Sequence, residues 1–305
     1  MKNKFLQISM LALAAASLTF ASCSKEASSS TSTPVVQGET FLASTTMGTR
    51  TALLEDFTGV RCGYCPDGHV RAEAARKALG KDKFIIMCVH GGSYATPLAG
   101  WANFTTAFGT SLINQSAVAG YPAGTINRLP ATDMGATPQT PTVVGALAMS
   151  RGDWDPAGRF VNTMFAPANI GTSATFDAVS RELTVKVDVY YVANETKPNN
   201  INVALVQSKL MAKQSGDPTP NDLYSEDHVL RHLITGQWGN PIADSLKIEG
   251  SKVSRTFKYI VPADYNGITA TGGGAVVIEN CSVVAFITRN KVDVVNAAET
   301  TITVK

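Results

Sequence analysis

The first half of the chain alternates apolar runs with one amphipathic stretch. Apolar runs at Ala52–Phe57 and Phe84–Val89 predict two buried strands. The segment between them, Pro66–Leu79, has charged residues around small apolar ones that recur every four positions: Val70, Ala74 and Ala78. This pattern predicts an amphipathic helix that ends at Gly80. The strand–helix–strand order in turn predicts two parallel strands joined by a crossover.

Two further helices and one strand are predicted in the rest of this half. The stretch Leu98–Ser111 predicts a helix with three large aromatic residues: Trp101, Phe104 and Phe108. Residues 119–128, with the sequence Ala-Gly-Tyr-Pro-Ala-Gly-Thr-Ile-Asn-Arg, predict a turn that leads into a strand. Asp155–Met164 predicts the last helix, with its apolar residues on one face.

The second half changes to the two-residue period of half-buried strands. Leu183–Val189 alternates apolar and polar residues strictly, and clusters of Asn, Pro and Gly separate similar runs. The further strands predicted in this way are Asn202–Val206, Val253–Tyr259, Val283–Thr288 and Thr300–Val304. Several short strands with such turns favour an antiparallel sandwich of immunoglobulin type.

The amino terminus predicts export and anchoring. Residues 1–22 combine a short basic start with an apolar stretch of signal-peptide length, and the sequence Phe20-Ala21-Ser22-Cys23 resembles a bacterial lipobox. Cys23 would then carry lipid and hold the chain on a membrane. The alternative is an ordinary secretory signal with Cys23 incidental. Residues 23–46 are rich in Ser and Thr and predict a flexible tether.

Length and charge limit the remaining possibilities. The 305 residues suggest two folded domains, which the change of period places at 47–168 and 169–305. The net charge of +2 and the lack of a basic block interleaved with aromatics argue against nucleic-acid binding. No phosphate-binding loop, dinucleotide-binding glycine motif or serine-hydrolase motif occurs, and no cofactor is predicted.

The sequence Cys62-Gly63-Tyr64-Cys65 lies where the first strand gives way to the first helix. This position and spacing are typical of a thioredoxin-type redox pair, because a helix N-terminus favours the reactive thiolate. Of the five cysteines, Cys88 and Cys281 lie in apolar runs and are most simply buried thiols. A disulfide between these two is the alternative.

The order Asp56-Phe57, Cys62-Gly63-Tyr64-Cys65 and Gly120-Tyr121-Pro122 resembles a thioredoxin fold. The wider runs 53–69 and 120–128, with the β-rich second half, resemble the twenty-eight-kilodalton outer membrane protein family of Bacteroidetes lipoproteins. This resemblance implies an α/β thioredoxin-like domain followed by an all-β immunoglobulin-like sandwich. The resemblance does not imply an established activity.

The thioredoxin pattern implies a role for each residue of the candidate site. Cys62 would be the attacking thiolate, as the more exposed sulfur, and Cys65 would resolve the mixed disulfide. Asp56 would be a buried acid that takes the Cys65 proton, unless it is a polar residue at an exposed strand end. Pro122 would be a cis-proline that bares the backbone of Tyr121 to an incoming peptide, unless it is a trans proline in an ordinary loop. Substrate contacts are assigned to Tyr121, Tyr64 and Arg61.

Two residues argue against a strong oxidoreductase. Arg61 stands where thioredoxins carry Trp, and it offers charge in place of a flat apolar docking surface. Pro66 disfavours helical geometry at Cys65, so Cys62 would lie ahead of the helix and feel less of its dipole. A purely structural disulfide therefore stays open as an alternative.

Two sets of residues could bind metal, and neither is predicted to do so. Cys62, Cys65, His69 and His90 could supply zinc with two sulfur and two nitrogen ligands, but their spacing is poor. His69 is more simply an exposed polar residue. The segment 228–232 (His-Val-Leu-Arg-His), near Asp222, Glu226 and Asp227, is more simply a solvated loop or strand edge.

These patterns lead to two hypotheses for an outer membrane lipoprotein that faces the periplasm or the cell surface. In the first, the Cys62–Cys65 pair exchanges disulfides with exported proteins. In the second, the sandwich binds surface ligands without enzymatic activity, and the disulfide is structural. The partners are accordingly a membrane, through Cys23, and exported thiols or surface ligands.

Overall fold

The computed structural model describes residues 40–218, 223–242, 247–267 and 274–305. The predicted signal segment 1–22, Cys23 and Asp222 lie outside the described residues. The strands are β1 (Ala52–Thr58), β2 (Phe84–His90), β3 (Ala123–Ile126), β4 (Met149–Ser150), β5 (Ala168–Phe176), β6 (Glu182–Tyr191), β7 (Asn199–Gln207), β8 (Leu210–Ala212), β9 (Tyr224–Glu226), β10 (Val229–Leu233), β11 (Asn240–Pro241), β12 (Lys252–Ile260), β13 (Cys281–Arg289) and β14 (Val292–Val304). The α-helices are α1 (Cys65–Leu79), α2 (Gly92–Ala95), α3 (Gly109–Ser116) and α4 (Trp154–Val161).

The predicted strand–helix–strand unit is confirmed. β1 and β2 pair in parallel from Ala52 opposite Phe84 to Thr58 opposite His90, and every residue of both strands is buried. α1 joins them and ends before Gly80, whose φ of 96° suits a residue without a side chain. β3 then pairs antiparallel with the other edge of β1, and α4 forms close to its predicted range.

The buried face of α1 differs from the prediction. Gly68, Ala72 and Ala75 face the core, whereas Val70 is 67% exposed. Small residues are favoured on this face because the helix packs closely: a Cβ on Gly68 would lie 3.1 Å from the Pro122 ring. The four-residue spacing of apolar residues therefore predicted the helix correctly and its orientation wrongly.

The predicted helix Leu98–Ser111 is wrong. A short helix, α2, precedes this stretch, residues 98–106 have no helix, and α3 begins only at Gly109. Ala102 and Phe104 are buried in a small cluster whose other members come from distant segments: Val60, Leu210, Ala212 and Val229. Packing against residues more than a hundred positions later overrides the local helical pattern here.

The five strands predicted in the second half are all confirmed, and each is longer than predicted or shifted in its bounds. β6 pairs antiparallel with β5 on one side and with β12 on the other, and β13 lies between β7 and β14. Inward-facing residues of β6 and β12 share one apolar cluster with those of β7 and β13. This half is mostly β-sheet.

One mixed sheet runs through both halves of the described chain. Its strand order is β12-β6-β5-β14-β13-β7-β10-β2-β1-β3-β4, with β11 added at β7. The junction is the pairing of β10 with β2, where Val229 lies opposite Cys88 and the Cys88 N–H donates to the His228 carbonyl at 2.8 Å. β10 is parallel to β2 and covers the edge of β2 that does not pair with β1.

Helices α1 and α4 cover one face of β1 and β2, with Trp154 fully buried between them and the sheet. On the other face, Leu53 and Phe57 pack in a cluster with Ala204 of β7 and Phe286 of β13. The first half therefore shares a core with the second.

The end of the predicted tether lies against the second half. The Leu42 N–H donates to Asp188 at 2.8 Å, and the Asn169 amide donates to the carbonyls of Ser44 and Thr46. Within the residues that the structure describes, no helix is long and apolar enough to cross a bilayer.

Candidate functional site

Cys62 and Cys65 form a disulfide at the carboxyl end of β1, with their Cα atoms 5.4 Å apart. The Cys62 N–H donates to the Gly59 carbonyl at 2.8 Å, which closes the turn after the strand. α1 begins at Cys65, with Pro66 in its first turn, where a missing N–H costs nothing. Cys62 thus lies three residues ahead of the helix.

The disulfide is covered by a segment from the second half, residues 213–217, which we call the cover loop. The Gln214 amide donates to the Cys62 carbonyl at 2.9 Å, and the Ser215 N–H donates to the Val60 carbonyl at 2.8 Å. Gly216 sits so close to Gly63 that a Cβ would lie 1.9 Å from the Gly63 oxygen.

As a result, Cys62 is 2% exposed and Cys65 is fully buried. The sequence predicts that Cys62 is the more exposed of the two cysteines, and the two residues differ by only this small amount. A turn at the end of a strand is exposed only if nothing packs on it, and here the cover loop does. The cover loop packs on the backbone of residues 59–63, so we expect it to limit the access of an incoming thiol to Cys62.

Exposed charge and aromatic rings surround the covered disulfide. Arg61 is exposed, and its N–H donates to the Tyr94 carbonyl at 2.9 Å. Tyr64 is 71% exposed, and the guanidinium of Arg151 lies over its ring at 5.7 Å. Arg151 in turn pairs with Asp67 of α1.

Tyr121 and Pro122 lie at the start of β3. The bond between them is cis, and the Pro122 ring packs against Gly68 of α1, three residues after Cys65. The Tyr121 ring lies 5.4 Å from that of Tyr94, and burial raises the pKa of its hydroxyl.

Asp56 is fully buried, which excludes the exposed strand end that the sequence left open. Its Oδ2 lies 3.9 Å from the Cys88 sulfur on β2 and 3.7 Å from Nε2 of His69 on α1. The prediction that His69 is simply exposed is wrong. Its two ring nitrogens lie 3.1 Å from the Thr58 hydroxyl and 2.8 Å from the Tyr224 hydroxyl.

Burial shifts the ionisation of this group towards neutral forms. It raises the pKa of Asp56 well above its usual value, and the charge of Glu226 adds to this effect. Burial also raises the pKa of the Cys88 thiol, with the charge of Asp56 as the next cause. Burial lowers the pKa of His69, against the opposing charge of Glu226.

His90 and Glu226 form a second buried pair beside the first group. Nε2 of His90 lies 3.6 Å from Oε2 of Glu226, and the two side chains are 1% and 0% exposed. Burial by itself would raise the pKa of Glu226, but the contact with His90 brings it below its usual value. Glu226 reaches this position because β9 folds back over α1 and β2.

The segment 228–232 is not a solvated loop. Val229–Leu233 is strand β10, inside the sheet, and Arg231 is buried with one N–H donating to the Gly274 carbonyl at 2.9 Å. His228 bonds Glu73 of α1 at 2.8 Å. His232 stacks on Tyr259, so the two histidines point to different parts of the molecule.

The two remaining cysteines are both free and buried, as predicted, so the alternative disulfide between them does not form. The zinc set of Cys62, Cys65, His69 and His90 is also not available in this state, because the first two sulfurs are bonded to each other. His69 and His90 lie instead with Asp56, Cys88 and Glu226.

Sequence reasoning did not place Cys88, Tyr224 and Glu226 in the buried cluster around Asp56 and His69. Cys88 and His90 could have been found, since a parallel register places them beside Asp56 and Thr58. Tyr224 and Glu226 could not, because no local signal indicates that β9 returns to α1.

The family comparison covers the part of the chain after the disulfide, which includes Tyr121, Pro122 and the cover loop. Residues 110–305, almost two thirds of the chain, match the model of the outer membrane protein Omp28 family. The chain belongs to the Omp28 family. The predicted resemblance is thereby confirmed, and the protein is placed among outer membrane proteins. The matched region begins after Cys65, so Omp28 membership does not cover the disulfide.

Solved structures extend the comparison to most of the chain. HBP35 of Porphyromonas gingivalis superposes with a TM-score of 0.60 at 16% identity, covering 84% of this chain and 76% of that one. A domain of the outer membrane lipoprotein Omp28 from Porphyromonas gingivalis gives a TM-score of 0.31 at 20% identity, covering 46% of this chain and 91% of that one. No curated protein matches the sequence. The likeness to HBP35 is one of fold.

Proposed function

We propose that this envelope protein exchanges disulfides with exported proteins through Cys62 and Cys65. The observation that carries the proposal is the disulfide itself, closed between the end of β1 and the first residue of α1. Cys65 is the first residue of α1, where the partial positive charge of the helix stabilises a thiolate, and the three-residue separation lets the bond open and close without rearranging the fold. Family membership neither adds to this argument nor opposes it.

The electrons and bonds balance in two steps. In the reduced protein, the Cys62 thiolate attacks a disulfide sulfur of the exported protein, and one substrate thiolate leaves. The Cys65 thiolate then attacks the Cys62 sulfur and expels the second substrate thiolate. The Cys62–Cys65 bond forms, the substrate disulfide is reduced, and the reverse sequence oxidises a substrate dithiol.

The other residues of the site have supporting roles in this proposal. Asp56 would take the proton of Cys65, and the backbone of Tyr121, next to Pro122, would pair with the substrate peptide. Tyr64 and Arg61 would contact the substrate from the exposed rim. We expect the cover loop to limit each exchange.

We also propose that residues 47–168 form a thioredoxin-like domain and residues 169–305 an immunoglobulin-like sandwich. The β1–α1–β2 unit with antiparallel β3 and β4 supports the first assignment. The shared apolar cluster of β6, β12, β7 and β13 supports the second. A lipid on Cys23 would then hold both on the outer membrane.

To test the exchange, the Cys65→Ser variant is expressed in bacteria that export it to the cell envelope. The cell proteins are then separated without reductant and blotted for the variant. We expect mixed disulfides on Cys62, because the resolving thiol that releases them is gone. The matched control is Cys62→Ser/Cys65→Ser, which should trap nothing. If Cys65→Ser traps nothing, and the wild type neither reduces nor oxidises a model substrate, the proposal fails.

A second function is favoured by one observation, the burial of Cys62 under the cover loop. In that case the disulfide is structural, and the sandwich binds a surface ligand. A buried structural bond resists reduction, whereas an exchanging bond has a potential near that of its partners. The potential of the pair therefore separates the two functions.

A further inference from the structure

Three side chains with metal-binding atoms converge under α1, away from the two disulfide sulfurs. One ligand atom each from Asp56, His69 and Cys88 can be chosen so that all lie within 4.8 Å of one another. They come from three elements, β1, α1 and β2, whose positions are fixed by the core. Asp56 and Cys88 are directly opposite each other in the parallel register.

The spacing is close to that of a preformed tetrahedral site. Bonds of about 2.0 Å to nitrogen or oxygen and about 2.3 Å to sulfur place neighbouring ligand atoms roughly 3.3–3.7 Å apart. From Asp56 Oδ2, the His69 Nε2 is 3.7 Å away and the Cys88 sulfur 3.9 Å away. Small side-chain shifts would bring all three onto one cation.

The ring of His69 is held in a suitable orientation. When Nδ1 donates to the Tyr224 hydroxyl at 2.8 Å, the Nε2 lone pair lies 3.1 Å from the Thr58 hydroxyl and 3.7 Å from Asp56, so a bound metal would replace the Thr58 contact. A hydrogen bond from the second ring nitrogen is the usual way in which proteins orient a metal-binding histidine. Tyr224, from β9, would supply this outer contact.

Several buried polar atoms here lack a hydrogen-bond partner among the described residues. They are Oδ1 of Asp56 and, in the His90–Glu226 pair whose nearest atoms are 3.6 Å apart, both ring nitrogens and both carboxylate oxygens. Asp56 and Glu226 are fully buried, and His90 is 2% exposed. Leaving such atoms unpaired costs about 1–3 kcal/mol each, so a group this dense indicates an occupant that is not a side chain.

We propose that Asp56, His69 and Cys88 bind a divalent transition-metal cation, with zinc as the ion that best suits one oxygen, one nitrogen and one sulfur ligand. Three protein ligands leave a fourth position for a further ligand. Hard cations such as magnesium or calcium prefer all-oxygen sites and are disfavoured by the thiolate. The Cys88 thiol would release its proton as the metal–sulfur bond forms.

A cavity beside α1 adjoins two of the three proposed ligands. This cavity, of about 280 Å³, is lined by His69, Cys88 and Tyr224 and also by the carboxylates of Glu73 and Asp227. Glu73 is on the exposed side of α1, so the entrance carries negative charge that attracts cations. Bound metal would also coordinate the carboxylate of Asp56. The proposed exchange reaction uses the same carboxylate to accept the proton of Cys65.

The test uses the full mature chain with the Cys62–Cys65 disulfide intact and a purification tag without histidine. Cobalt(II) is added as a spectroscopic substitute for zinc. We expect one cobalt per chain, visible absorption of tetrahedral strength, and a thiolate-to-cobalt band in the near ultraviolet. Zinc should displace the cobalt and abolish both signals.

Cys88→Ser should lose the thiolate band and bind zinc at least ~100-fold more weakly, because it removes the sulfur ligand. Cys281→Ser is the matched control: it alters the other buried free thiol and should bind as the wild type does. His69→Gln should weaken zinc binding to the same extent. This second variant replaces Cys88→Ser in the test if Cys88→Ser does not fold.

The wild-type titration alone can overturn the proposal. It does so if the disulfide-intact chain binds neither cobalt nor zinc at micromolar concentrations, or if bound cobalt shows no thiolate band. Binding that survives in both Cys88→Ser and His69→Gln would contradict it as well. None of these outcomes depends on thiol exchange, which uses other sulfur atoms.

Discussion

His232 lies between two aromatic rings, stacked on Tyr259 at 4.4 Å and edge-on to Phe108 at 5.3 Å between ring centroids. Burial lowers its pKa from 6.5 to about 4. The unfolded chain therefore takes up a proton between pH 6.5 and pH 4 that the folded chain does not. Stability contributed by neutral His232 is complete above pH 6.5 and is lost as the pH falls towards 4.

The predicted consequence is measured by comparing His232→Phe with the wild type in urea unfolding at pH 7 and pH 4. The phenyl ring keeps both ring contacts but takes up no proton. We expect the wild type to lose about 2 kcal/mol more than the variant on acidification, after allowing for partial exposure. Equal losses in the two proteins would show that His232 ionises normally in the folded state.

At the level of single residues, the sequence predicted Cys62, Cys65 and Asp56 because motif and spacing mark them. It assigned His69 to solvent, since a histidine on a helix has no local sign of its partners. The contacts of His69 with Tyr224 and Asp56 join three separate segments. Such contacts depend on how elements pack and are not encoded by neighbouring residues.

Among the elements, the cover loop decides access to the disulfide. Gly216 has a φ of 78° and no room for a side chain against Gly63. Gly216→Ala should displace the loop and weaken the hydrogen bonds that Gln214 and Ser215 make. If the loop loses about 1.4 kcal/mol of the free energy that holds it in place, dithiothreitol should reduce Cys62–Cys65 about tenfold faster.

The matched control is Gly236→Ala, at a residue with nearly the same φ, 74°, but open space around it. It shares the backbone strain of Gly216→Ala without the collision. If the two variants are reduced at the same rate, the loop does not control access to the disulfide.

The elements themselves were mostly predictable. β1, α1 and β2 and the five strands of the second half follow from apolar runs and two-residue periods. The helix predicted at Leu98–Ser111 failed because Ala102 and Phe104 pack against Leu210 and Val229, far along the chain. The period of a strand survives pairing with a distant partner, as in β13 with β7, whereas a buried segment without regular structure leaves no such period.

At the scale of the whole molecule, the change of period at residue 169 suggested two separate units. One twelve-stranded mixed sheet contains strands from both halves, since β10 from the second half pairs with β2 from the first, and β8 and β9 pair in a separate two-stranded sheet. The same packing brings β9 and the cover loop onto α1 and the disulfide. The second half thus contributes directly to both candidate sites.

This arrangement makes the reduction potential of Cys62–Cys65 the decisive quantity, because it reports the disulfide within the intact molecule. The potential is measured on the full mature chain by equilibration with defined thiol–disulfide buffers. The account predicts a value between about −270 and −120 mV, the range of thioredoxin to DsbA. A value below about −300 mV would mark a structural bond and contradict the proposed exchange.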